Sequence, residues 1–309
     1  GQLGGQSVTV RGFYRDGDDG GGEFYWDEGS AEPEVSGMVV NAPGGQWRRL
    51  YSGVINVRSF GATGDGTTDD TAAIQACFDF AVPQSGIVLM NGHFRITDSV
   101  FIRGFEQGGT VILRGFNSPG GTHTYSSLIW DGVSYDGTDV TKLPALWVEG
   151  ADLCVENIAV RSSGGKILYS AIECGSVDST PKPLFRNQFR GITILGTGTD
   201  LIENGISFGT INPQPTFFED MIVENCTFNN CEVGVLFGSG QPHNTVLQRC
   251  IFENSLGGVP QGTGIRTDVA EIGLHVENCD FRSHEMGAHI SSGMTSVCLL
   301  YTSPSPRDS

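Results

Sequence analysis

The run from Phe60 to Gln75, FGATGDGTTDDTAAIQ, restricts the fold of this chain more than any other segment. It joins an apolar, strand-like stretch (Val54 to Phe60) to a helical pattern. The turn between them holds Gly61, Gly64 and Gly66, which reach positive φ at little cost. Thr68 or Asp69 is placed to cap the helix, and Asp69 and Asp70 sit near its positive end. Ile74, Cys77, Phe78 and Ala81 follow at i, i+3, i+4 and i+7, so the spacing predicts a helix over about 69–81 with one apolar face. Pro83 and Gly86 end it, and two apolar runs, Gly86 to Met90 and His93 to Ile102, read as strands. The aspartates and glycines of the turn also suggest a calcium loop. EF-hand ligand spacing is absent, and a plain turn with a helix cap is the preferred reading.

From Leu146 onward two kinds of short strand alternate. The first is centred on Leu146, Ile172, Ile206, Val235, Ile265 and Ala288, at steps of 26, 34, 29, 30 and 23 residues. The second comprises Val155–Ile158, Phe189–Ile192, Val223–Cys226, Leu247–Cys250 and Val276–Cys279. A loose period with strict alternation is what stacked coils of a solenoid leave in a sequence, each coil burying its apolar side on its neighbours. Asn157, Asn225 and Asn278 recur at one place and are expected to form an amide ladder at a tight bend, interrupted by Arg249.

Phe60 to Gln75, followed by Ile87 to Asn91, resembles the entry segment of the pectate-lyase superfamily of right-handed parallel β-helices. That group includes phage tailspikes and bacterial surface polysaccharide-degrading proteins. The resemblance implies an all-β, single-stranded right-handed parallel β-helix whose N-terminal end is plugged by the capping α-helix. It further implies an extracellular or virion-associated protein that binds a polysaccharide and cleaves it as a lyase or hydrolase, with homotrimerisation. A non-catalytic receptor-binding tail fibre or adhesin is the alternative. No cofactor is called for.

Residues 1–53 read as a separate small β module, with Val8–Tyr14 and Glu23–Trp26 joined by the Asp- and Gly-rich turn 16–22. Its aromatics (Phe24, Tyr25, Trp26, Trp47) are read as core rather than sugar-stacking surface. The β-helix takes 54–297. Cys298 to Asp308 resembles a translated transposon-end and adapter sequence, so 298–309 is read as non-native and further rungs are expected beyond Val297. A formal charge of −17 argues against a nucleic-acid partner, because phosphates need a basic footprint. It also means that an acidic glycan would need a locally basic cleft. The cysteines before Cys298 show no zinc spacing and are read as small apolar residues stacked in the bore, with no metal site.

Alternation along the first kind of strand turns Trp147, Glu149, Glu173, Ser207, Leu236, Arg266, Asp268 and His289 outward on one face. With strands about 4.8 Å apart, Glu149 and Glu173 are expected close enough for a carboxylate pair with one raised pKa. Arg266, Asp268 and His289 form a second candidate group, in which an arginine or histidine serves as base for β-elimination. Trp147, Asp200 and Glu203 are candidate substrate-binding residues, and Glu219, Asp220 and His243 are loop rivals. The superfamily's polygalacturonase signatures (Asn-Thr-Asp, His-Gly, Arg-Ile-Lys) are absent.

Overall fold

The computed structural model describes residues 5–103, 110–116, 126–150, 152–177, 184–211, 217–239, 241–254, 262–282 and 286–301. From Val54 the backbone winds through successive turns, and strands pair in parallel with their counterparts one turn on. One turn runs through Leu153–Glu156, Ala159–Ser162 and Ile167–Cys174. The next runs through Gln188–Arg190, Thr193–Leu195 and Leu201–Phe208, and the one after through Ile222–Glu224, Thr227–Asn229 and Cys231–Phe237. This is the right-handed parallel β-helix expected from the sequence.

The two sequence columns are columns of the structure. Leu146, Ile172, Ile206, Val235, Ile265 and Ala288 are in register one above another. So are Val155, Phe189, Val223, Leu247 and Val276. Each turn also has a third strand that the alternation did not reveal. Ala159–Ser162, Thr193–Leu195, Thr227–Asn229 and Ile251–Glu253 are three or four residues long. Each buries Val160, Ile194, Phe228 or Phe252 centrally, which is too little to display a period.

Inside the bore, Phe228, Phe252 and Phe281 stack at 4.8 Å between successive centroids with nearly parallel planes. Facing them are Gly205, Gly234 and Gly264. A Cβ there would lie 2.6, 2.4 and 2.4 Å from the Cδ1 of Phe228, Phe252 and Phe281. Cys226, Cys250 and Cys279 form another file, each thiol turned to a carbonyl one turn back at 3.4, 3.5 and 3.7 Å. The seven cysteines before Cys298 are all free, and six are buried.

At the recurring asparagines the shared feature is backbone conformation. Asn157, Asn225 and Asn278 have φ of 55, 53 and 52°, and Gly191 and Arg249 fill the intervening turns at 60 and 53°. Asparagine and glycine tolerate this left-handed region best, and Arg249 donates to Asn225 Oδ1 at 3.0 Å. The column is thus a file of left-handed bends rather than an amide ladder.

The helix, Thr71–Ala81, buries Ile74, Cys77, Phe78 and Ala81 over the first turn. Burying each large apolar side chain is worth about 1.5–3 kcal/mol. Gln75 closes the sheet's open edge, accepting from Phe101 N at 2.8 Å and donating to its carbonyl at 3.1 Å. The aspartates before the helix are all occupied. Asp65 takes Thr67 N and Thr68 N, both at 2.7 Å, and Asp69 takes Thr71 Oγ1 and Thr97 Oγ1, both at 2.6 Å. Asp70 is buried and folds back onto Thr63 N and Gly64 N at 2.7 and 3.0 Å. Asp70 occupies the N-cap position but makes no side-chain bond to the helix; Thr68 and Asp69 stand two residues and one residue before it, and Asp69 accepts from Thr71 N at 3.1 Å.

The N-terminal module is a four-stranded antiparallel sheet in the order Ser7–Val10, Gly22–Glu28, Gly45–Arg49, Val39–Ala42. Asp18 organises its turn by accepting from the amides of Phe13, Tyr14, Arg15 and Gly20 at 2.8–3.0 Å. Phe24 is buried, whereas Trp26 and Trp47 meet edge to face while half exposed. At the other end, backbone pairing runs through Asp280↔Tyr301. Residues 302–309, part of the segment read as non-native, lie outside the described residues.

Candidate functional site

Trp147, Glu173, Ser207, Leu236, Arg266 and His289 share one column, one residue per turn. The sequence placed them together correctly but wrongly as an open face. Trp147, Glu173, Ser207 and Leu236 are all buried, because the segments that follow each strand fold over them. Trp147 stacks on Phe101 with 5.7 Å between centroids and donates Nε1–H to Gly175 O at 2.9 Å, so it offers no sugar platform.

The expected Glu149–Glu173 pair does not form. Glu173 stands opposite Trp147, and Glu149 lies two residues further along that strand, opposite Arg103. Each carboxylate clamps the chain that follows the next strand. Glu149 accepts from Val177 N at 2.9 Å and lies 3.6 Å from Arg103 Nε. Glu173 is fully buried and accepts from Ser207 Oγ, Thr210 N and Oγ1 (both 2.7 Å) and Ile211 N (3.2 Å). Burial raises its pKa, against the pull of those four donors. Asp200 is a turn residue, accepting from Gly165 N at 2.7 Å and Thr197 Oγ1 at 3.3 Å.

Glu203, Arg266 and Asp268 do come together. They line a groove of about 300 Å³ with Tyr169, Glu232 and Leu236, rimmed by Gly209, Thr210 and Gly238. The register explains the arrangement. Leu168↔Ile202 and Ser170↔Asn204 put Tyr169 beside Glu203, while Ile202↔Cys231 and Asn204↔Val233 put Glu203 beside Glu232. Adjacent strands are about 4.8 Å apart, so Glu203 and Glu232 stack as a like-charged pair. Burial pushes the Glu203 carboxyl above its ordinary pKa, and the charge of Glu232 adds to the shift. Arg266 is held by Asp268 in a bidentate pair at 2.8 and 3.0 Å. His289 stands exposed one turn beyond Arg266, outside the groove lining.

Glu232 and Tyr169 were not singled out from the sequence, although a signal existed. Glu203 and Glu232 each precede a bore-lining glycine, Gly205 and Gly234, by two positions, and Tyr169 precedes Ala171 by the same offset. Reading that offset turn by turn gives the whole column.

Comparison with known proteins agrees with this architecture. Residues 1–52 match the phage tail protein small four-stranded β-sheet domain. Residues 54–112 match the rhamnogalacturonase A/epimerase, pectate lyase-like family. The Mu-like prophage FluMu defective tail fiber protein of Haemophilus influenzae is 30% identical over 122 residues, 38% of this chain and 19% of that protein. The tailspike protein gp49 of Acinetobacter baumannii bacteriophage Fri1, a capsular polysaccharide depolymerase, superposes with a TM-score of 0.57 at 14% identity. That match covers 93% of this chain and 57% of the tailspike, so the chain spans little more than half of its length. The phiAB6 tailspike, solved with oligosaccharides of Acinetobacter baumannii surface polysaccharide, gives 0.42 at 16% identity over 78% of this chain and 47% of that one. The chain thus shares the right-handed parallel β-helix fold of the Fri1 tailspike, with an entry segment similar to the pectate lyase-like family and residues in front of it similar to a phage-tail β-sheet domain.

Proposed function

We propose that this chain binds a cell-surface polysaccharide in the Glu203–Glu232 groove and cleaves it by hydrolysis. Glu203 acts as general acid on the glycosidic oxygen, and Glu232 is the ionised partner facing the developing charge at the sugar carbon. The observation carrying this reading is the stack of the two carboxylates in one groove, with the pKa of Glu203 raised by burial and by its neighbour. Side chains on adjacent strands about 4.8 Å apart can reach the short carboxyl separation of retaining glycosidases, in which the second carboxylate attacks the sugar. Leu236 and Tyr169 supply apolar walls, and the Arg266–Asp268 pair supplies hydrogen-bonding edges. Elimination with Arg266 as base is disfavoured, because Asp268 already engages one edge of the guanidinium through two hydrogen bonds. The structural likeness to a tailspike depolymerase supports the substrate class, and the phage-tail domain supports a virion-associated location. Homotrimeric assembly is what the tailspike resemblance implies.

The test is Glu203→Gln, assayed by release of reducing ends from bacterial surface polysaccharides. Cleavage is expected to fall by about 100-fold or more while binding persists. In the wild type, cleavage should decline as pH rises through the raised pKa of Glu203, since the acid must be protonated. Unchanged cleavage by the variant would overturn the assignment.

A further inference from the structure

The charges around the groove do not balance. Three carboxylates line it, Glu203, Glu232 and Asp268, against one cation, Arg266. That cation is committed to Asp268 through two hydrogen bonds, and among the described residues neither Glu203 nor Glu232 has an ion-pair partner. Lys142 lies 5.6 Å from the Tyr169 ring centroid, but Asp139 holds it at 2.7 Å. Glu173, below the rim, is enclosed by its own donors and brings no positive charge. The site therefore presents two carboxyl groups without a counter-ion among the described residues, half-buried Glu203 and exposed Glu232, on a chain whose formal charge is −17.

We infer that the groove selects a neutral or amine-bearing saccharide repeat and rejects uronate polymers. This rests on the groove being the saccharide site. A uronate repeat would bring its own carboxylate to within about 5 Å of the Glu232 carboxylate and close to Asp268, where repulsion costs about tenfold in affinity, while protonated Glu203 offers no compensating positive charge. A neutral repeat meets no such penalty, its hydroxyls donating to Glu232 and accepting from the Glu203 acid. An ammonium on an amino sugar gains a charge-assisted hydrogen bond.

The full 309-residue chain is tested in EDTA, so that no divalent cation bridges carboxylates, against bacterial surface polysaccharides of known repeat: neutral, amine-bearing and uronate-containing. Leu236→Trp, which fills the groove, separates binding there from binding elsewhere. Expected are neutral or amine-bearing ligands lost in Leu236→Trp, and at least about tenfold gain for uronate polymers in Glu203→Gln/Glu232→Gln. Uronate polymers that bind the wild type and are lost in Leu236→Trp overturn the charge inference and leave the groove reading standing. Binding indifferent to Leu236→Trp, or none to any polymer, overturns the groove reading and the inference with it.

Discussion

Replacing Gly234 with alanine is expected to destabilise the β-helix by about 2–3 kcal/mol, although it adds only a methyl group. The new carbon would sit 2.4 Å from Phe252 Cδ1, 2.7 Å from its Cε1 and 2.6 Å from the Gly264 carbonyl oxygen. Neither neighbour can retreat. Phe252 is fully buried and held between Phe228 and Phe281, each 4.8 Å away, and the carbonyl belongs to the strand paired alongside. Overpacking usually costs about 1–3 kcal/mol, and two rigid neighbours on one carbon place this site in the upper half. With a urea m-value of about 3 kcal/mol/M for a chain of this size, the midpoint should fall by about 0.7–1 M. Urea unfolding followed by circular dichroism measures it, and Phe252→Ala supplies the internal control. Alone, that change opens a cavity costing about 3–5 kcal/mol. Combined with Gly234→Ala, the methyl enters the vacated space, and the double variant should be at least about 1 kcal/mol more stable than the sum of the singles. A neutral Gly234→Ala, or strict additivity, would refute the packing argument.

Glu173→Gln should stay within about 1 kcal/mol of wild type at neutral pH, because a carboxamide still accepts the Thr210 and Ile211 amides. Glu173→Ala strands them and should cost about 2–3 kcal/mol in thermal unfolding. Burial raises the folded-state pKa of Glu173 above its unfolded value of about 4.3. The native state therefore holds the extra proton, and wild-type stability should fall as pH climbs through that window. Glu173→Gln should flatten this slope in melts across pH 4–8. Of the seven cysteines before Cys298, half-buried Cys154 should react with a maleimide in the native protein, and the six buried ones only on unfolding, as read by mass spectrometry.

The fold was legible because its signals repeat. Leu146, Ile172, Ile206, Val235 and Ile265 keep their place despite loops of varying length, since a parallel sheet tolerates insertions between strands but not within them. The third strand of each turn stayed hidden because a single inward side chain such as Phe252 has no periodicity. The site was half legible. Outward direction followed from alternation, so Arg266 was found, while Glu203 was singled out only as a residue flanking the Gly205 strand; the sequence does not say what folds over an outward residue. Glu173 and Trp147 point away from the bore and are nevertheless covered, and only the loop carrying Thr210 reveals this for Glu173. Glu149 was mispaired because the assumed register was two residues out of step.

Each column of the β-helix accepts one side chain per turn, at a pitch fixed by backbone pairing of about 4.8 Å. A polymer lying along the axis is therefore measured against a ruler whose divisions the protein cannot stretch. Changing Leu236 rewrites one graduation while Glu203 and Arg266 keep theirs. Recognition of a different repeat can thus arise one mark at a time, without disturbing the phenylalanines that hold the scale straight.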